Sequence, residues 1–101
     1  MRYRFADFEL DLTRGTLVHA GAEVEIRPKL LTLLAYLVRH AGRVVPKNEL
    51  LAEIWPGVHV SEATLASTLR DLRRLLEDRA DEPRYVQSLW SRGIRFVAPV
   101  R

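Results

Sequence analysis

No cysteine occurs in this 101-residue chain, and only one methionine. Without thiols there is no disulfide, no thiolate metal site and no cysteine nucleophile, so packing alone must hold the fold, as suits a reducing compartment. Long apolar runs are missing too. None approaches the roughly 18 residues that span a bilayer, and the opening MRYRFADFEL carries charges where a signal peptide is continuously apolar. The chain is therefore expected to work in the cytoplasm. The marks of catalysis are also absent. His19, His40 and His59 are scattered, with no His-x-x-x-His pair, Gly-x-Ser-x-Gly turn or glycine-rich phosphate loop. The neighbouring carboxylates Glu23 and Glu25, or Asp81 and Glu82, fall in turns or edges where solvation explains them. We expect no enzyme, no cofactor, no metal and no small-molecule substrate.

Hydrophobic residues make up 48% of the chain, enough at this length for one core and too little for two, so a single domain is expected over residues 1–101. The formal net charge is only +3, but it is unevenly spread. Residues 1–27 carry 4 Lys/Arg against 5 Asp/Glu, residues 28–60 carry 4 against 2, and residues 61–101 carry 8 against 6. All eight late cations are arginine, whose planar fork suits phosphate oxygens and guanine edges.

Periodicity divides the chain into a sheet, three helices and a hairpin. FADFELDLT alternates Phe8, Leu10 and Leu12 with Glu9, Asp11 and Thr13, as a half-buried strand does. TLVH and EVEI read as further strands, separated by the turn residues Gly15 and Gly21, so a small antiparallel meander opens the domain. Pro28 then suits the first turn of a helix. LLTLLAYLVRHA is so apolar that it must be buried on more than one side, which makes it the central core helix, with Gly42 as its stop. Pro46 opens a second helix, KNELLAEIW, which Pro56 and Gly57 halt. Ser61 is the expected N-cap of a third, over about residues 62–77. Residues 84–89 and 94–97 form the arms of a hairpin whose tip is Trp90, Ser91, Arg92 and Gly93, with Gly93 free to take a positive φ.

Two faces are written into the third helix. Leu65, Leu69, Leu72 and Leu76 share one stripe with Leu75 at its edge, while Ala63, Ser67, Arg70 and Arg74 form the opposite side. Small side chains occupy the N-terminal half of that outer face and long cations the C-terminal half. An outer face meant only for solubility usually mixes Glu, Lys and Gln with i,i+4 ion pairs. A short helix, a loop, a long helix with a basic face and a basic-tipped hairpin follow one another in the order of a winged helix-turn-helix.

From IRPKLLTLLAYLVRHAGRVVPKNELLAEIWPGVHVSEATLASTLRDLRRLLED to RYVQSLWSRGIRFVAPV, the chain resembles the OmpR/PhoB-type winged-helix domain of bacterial transcriptional regulators. The wording is closest to the subgroup in which this domain stands first, as in CadC- and ToxR-like one-component regulators, and a start at Met1 agrees with that placement. The resemblance implies an α+β fold: an N-terminal four-stranded antiparallel sheet (residues 1–27), three helices (28–78) and a wing hairpin (84–98). It also implies sequence-specific binding of double-stranded DNA, with two copies on tandem half-sites about one helical turn apart.

Carried over residue by residue, Ala66, Ser67, Arg70 and Asp71 are expected to face base edges in the major groove, and Thr64, Thr68, Arg73 and Arg74 the phosphates. Arg70 can bond guanine through two acceptors, Ser67 can donate or accept, and Ala66 offers a methyl contact to thymine. Asp71 stands where relatives often carry a basic residue. It can accept from a cytosine amino group, or pair with Arg70 or Arg74 and weaken attraction to phosphate. Trp55 matches a family tryptophan whose indole N–H reaches the DNA backbone; alternatively it closes the second helix as a core residue. In the wing, Ser88, Trp90 and Arg92 are the expected contacts, although Trp90 and Ile94 depart from the family's usual hairpin wording. Arg92 is the cation nearest the minor groove, or else a solvated tip. Trp90 can wedge at the groove, pack on the third helix or meet another protein. The loop at residues 56–60 lies where response regulators of the family contact RNA polymerase, a candidate second partner, although the loop is short here. The competing reading is a winged-helix module that binds protein and not DNA.

Overall fold

Residues 1–89 and 91–101 are described by the structure, a computed structural model. The expectations for Trp90 fall outside the described residues. Four antiparallel strands open the chain: β1 (Arg2–Phe5), β2 (Phe8–Asp11), β3 (Thr16–His19) and β4 (Ala22–Val24), hydrogen-bonded in that order. The registers Phe5 opposite Phe8 and His19 opposite Ala22 leave two-residue connections at both ends of the sheet. Ala20 and Gly21 both have positive φ (50° and 86°), the backbone that matches a tight hairpin to strand twist. Between β2 and β3, the Asp11 carboxylate accepts from the N–H groups of Thr13 and Arg14 at 3.0 and 3.1 Å. The turn is thereby closed by a side chain, which explains why a polar residue is buried there.

The meander differs from its sequence reading in detail. FADFELDLT is not one strand, because Ala6, at φ 50°, turns the chain before Phe8. The final strand covers Ala22–Val24 instead of residues 23–26, since the chain is already leaving the sheet toward Pro28. Sheet and wing are joined through aromatic rings. Phe5 stacks on Phe8 at 5.2 Å between centroids and meets Phe96 and Tyr85 edge-on at 5.0 and 5.7 Å.

Three helices fill the middle: α1 (Pro28–Arg39), α2 (Lys47–Ile54) and α3 (Glu62–Leu76). Leu30, Leu33, Leu34, Ala35, Leu37 and Val38 of α1 are buried, as a helix apolar on more than one side demands. It ends at Arg39, two residues short of the expected stretch, where His40 caps it. Ser61 caps α3 by accepting from the Thr64 N–H at 3.3 Å. At its other end Glu77 lies in the left-handed region and Asp78 N–H bonds Arg73 O at 2.7 Å, a Schellman-type stop built without glycine. Asp78 then accepts from the N–H groups of Arg84, Tyr85 and Val86 at 2.7, 3.2 and 2.9 Å. One carboxylate thus fixes where the wing begins.

The wing pairs β5 (Val86–Leu89) with β6 (Gly93–Phe96). Val45, just before α2, adds a bridge to Ile94, with N–H to O distances of 2.7 and 2.9 Å in the two directions. That crossing forces a glycine. Gly93 has φ +142°, and a Cβ there would lie 2.2 Å from Val45 O. No helix of the described residues is long and apolar enough to cross a membrane.

Candidate nucleic-acid interface

The two faces of α3 separate as its periodicity requires. Leu65, Leu69, Leu72 and Leu76 are buried, with Leu75 partly so, whereas Ala63, Thr64, Ala66, Ser67, Arg70 and Arg74 are exposed. Small residues at its start let another surface approach closely, and the cations follow one and two turns later. Among the described residues, neither Arg70 nor Arg74 forms an ion pair, nor does Arg92 near the wing tip. Their charges face solvent.

Arg73 behaves otherwise. Its guanidinium donates to Val86 O from both Nε and Nη2 at 3.3 Å, and to Ser88 Oγ at 2.8 Å. Burial pulls its pKa below the ordinary arginine value, with the Asp78 carboxylate opposing that shift. Two residues expected on DNA, Arg73 and Ser88, are thus bonded to each other, and they lock the wing beside α3. The reason is tertiary: on the flank of the helix, Arg73 meets the β5 backbone and the Ser88 hydroxyl.

Asp71 also departs from the alternatives read from the sequence. It pairs with neither Arg70 nor Arg74 but with Arg27, Nη2 to Oδ2 at 2.6 Å. Arg27 is the N-cap of α1, in extended backbone directly before Pro28. Thr68 donates its hydroxyl to Thr64 O at 2.7 Å, which leaves the oxygen's acceptor capacity outward, and Thr64 Oγ1 lies 3.4 Å from Ser61 Oγ.

Trp55 closes α2 and is half-buried against the core, as its reading as a core residue at the end of the second helix expects. Lys29 Nζ stands 6.0 Å from the indole centroid and donates to Ile54 O at 2.8 Å. An open groove of about 690 Å³ separates the start of α1 from the outer face of α3, bordered by Arg27, Lys29, Trp55, Thr64, Ser67 and Asp71. Arg27 and Lys29, which the sequence reading did not place here, line this groove. They flank Pro28, outside any amphipathic repeat, and only the packing of α1 across α3 brings them to this margin.

Residues 21–96 match the family model described as transcriptional regulatory protein, C terminal. The transcriptional regulator HilA of Salmonella typhi is 38% identical over 100 residues, covering 98% of this chain and 18% of HilA. The chain thus spans about a fifth of that relative's length. Among solved structures, the DNA-binding domain of Klebsiella pneumoniae RstA, in complex with the RstA box, superposes with a TM-score of 0.85 at 22% identity, covering 95% of this chain and 96% of that one. The DNA-binding domain of Escherichia coli CadC gives 0.84 at 22% identity, with 99% and 94% covered. Sheet, helices and hairpin correspond to those winged-helix domains.

Proposed function

Since the chain belongs to the family of transcriptional regulatory protein C-terminal domains, of OmpR/PhoB type, we propose that it binds double-stranded DNA sequence-specifically to regulate transcription. The observation that carries this reading is the outer face of α3, where Arg70 and Arg74 are exposed and without carboxylate partners among the described residues. Such a face suits a polyanion, and an α-helix fits the major groove.

In that arrangement Arg70 reads a guanine, Ser67 and Ala66 contact neighbouring bases, and Arg74 with the hydroxyls of Thr64 and Thr68 holds phosphates. The Trp55 indole, at the groove's edge, supplies a backbone donor. Arg92 enters the adjacent minor groove. Arg73 and Ser88 are assigned to holding the wing in register with α3, because their hydrogen bonds run to each other. One domain offers few phosphate contacts, so useful occupancy calls for a second copy on a tandem half-site. The loop at residues 56–60 is the candidate contact for RNA polymerase. The setting is the cytoplasm, at the nucleoid.

Selection of bound duplexes from a random pool, repeated at two salt concentrations, tests this function. A common motif should be enriched, with affinity falling steeply as salt rises. No enriched motif together with salt-insensitive binding to protein would instead establish the interaction-module reading.

A further inference from the structure

An anion in the middle of a surface that must meet phosphate is unexpected. Asp71 follows Arg70 directly, lies three residues before Arg74 and four after Ser67, so it shares their side of α3. Left alone, its carboxylate has a neighbour one helical turn away: an Asp and an Arg at i,i+3 are close enough to pair on a helix surface. Such a pair would withdraw Arg74 from any external anion. The structure holds Asp71 differently. Arg27, 44 residues earlier in sequence, takes the carboxylate at 2.6 Å, while the Arg27 side chain stays 68% exposed and that of Asp71 32% exposed. Both border the open groove beside Ser67 and Thr64.

We propose that Arg27 is a positioning residue for the DNA-binding surface: it keeps Asp71 on the α1 side of the groove and so leaves Arg70 and Arg74 available to phosphate and base. This rests on the DNA-binding reading and deepens it. Arg27 acts through Asp71, not by its own contact with the duplex. Its location before Pro28 serves this role, because the extended backbone there leaves the Arg27 side chain outside the helical repeat of α1, at the margin of the groove it shares with Asp71.

The test is a set of titrations against a labelled mixed-sequence duplex at low ionic strength, where phosphate contacts dominate. Arg27→Ala should weaken binding roughly fivefold, the scale expected when one cation is quenched near a phosphate. In the Asp71→Asn background, Arg27→Ala should change affinity by less than about twofold, because no carboxylate remains to be restrained. Asp71→Asn alone should bind as well as wild type or more tightly. Arg27→Lys, which retains a cation for Asp71, should stay within about twofold of wild type. Equal losses from Arg27→Ala in both backgrounds would make Arg27 a direct phosphate contact and overturn the proposal. A loss in Asp71→Asn matching that in Arg27→Ala would reduce the pair to a structural clasp and overturn it as well. Thermal unfolding of each variant verifies that the domain is folded. Should the wild type itself ignore the duplex at low salt, the DNA-binding reading fails first and takes this inference with it, a result distinct from either of the others.

Discussion

The N-terminal sheet and the helix–wing half treat their cations in opposite ways. In residues 1–27, Arg2 pairs with Asp11, Arg4 with Glu9 and Arg27 with Asp71, which leaves Arg14 as the exception. In residues 61–101, only Arg79 has a carboxylate, Asp81, among the described residues. A net charge of +3 thus says little about where unpaired cations stand, since Arg70 and Arg74 on α3 lack the carboxylate partners that Arg2 and Arg4 have in the sheet. Exposed pairs of this kind stabilise by about 0–1 kcal/mol each, so their main consequence is where charge remains. Position, more than total charge, separates the two regions.

The comparison is broken most severely by dislodging the wing. Gly93→Ala pushes a methyl group into Val45 O at a φ that disfavours any side chain, and should destabilise the fold by about 3 kcal/mol in denaturant melts. Gly21→Ala, where a Cβ meets nothing within 4 Å, should lose much less; comparable losses would refute the close-approach account. Next in size, Arg70→Ala should weaken binding to a selected site by about 1–3 kcal/mol and relax preference at one base pair. Arg74→Ala should weaken all sequences alike by a smaller amount. If the two variants titrate identically to wild type, the outer face of α3 is not the interface.

A smaller effect sharpens the contrast from the paired side. Arg43 and Tyr36 both donate to Glu49, and their hydrogen bonds hold its carboxyl at about 2, below the usual carboxylate value of 4.5. Its folded-state pKa is depressed, so its stabilisation is present above about 4.5 and disappears as pH falls toward 2. Unfolding midpoints of wild type and Glu49→Gln should therefore differ at neutral pH and converge in acid; a constant gap would contradict the linkage. Smallest of all, Arg4→Ala should leave DNA affinity unchanged and alter stability by less than about 1 kcal/mol in the same melts.

Which features could be read from the sequence follows the range of the interactions behind them. The leucine stripe of α3, its Ser61 cap and the glycine at residue 93 are local matters of period or backbone, and the structure has each in place. Strand β1 alternates as Arg2-Tyr3-Arg4-Phe5, but four residues are too short a run to mark a strand by period alone; only the family resemblance implies a fourth strand. The turn at Ala6 lacks any turn residue to announce it. The boundary between interface and scaffold was hidden for a different reason. Arg73 and Arg74 are adjacent cations on one helix, yet one donates to Val86 O and Ser88 while the other faces solvent. Helical period puts Arg73 on the flank and Arg74 opposite the leucine stripe, but it does not reveal what the flank meets, since the acceptors lie more than a dozen residues away. Arg27 and Asp71 meet across 44 residues and were equally illegible.

The salt dependence of duplex binding tests the central claim most directly. For Arg70→Ala/Arg74→Ala, the slope of log affinity against log salt should become shallower by about one unit relative to wild type, through the lost Arg74 phosphate contact, whereas Arg2→Ala/Arg4→Ala should retain the wild-type slope. An unchanged slope in the α3 variant, or an equal loss in the sheet variant, would contradict the account.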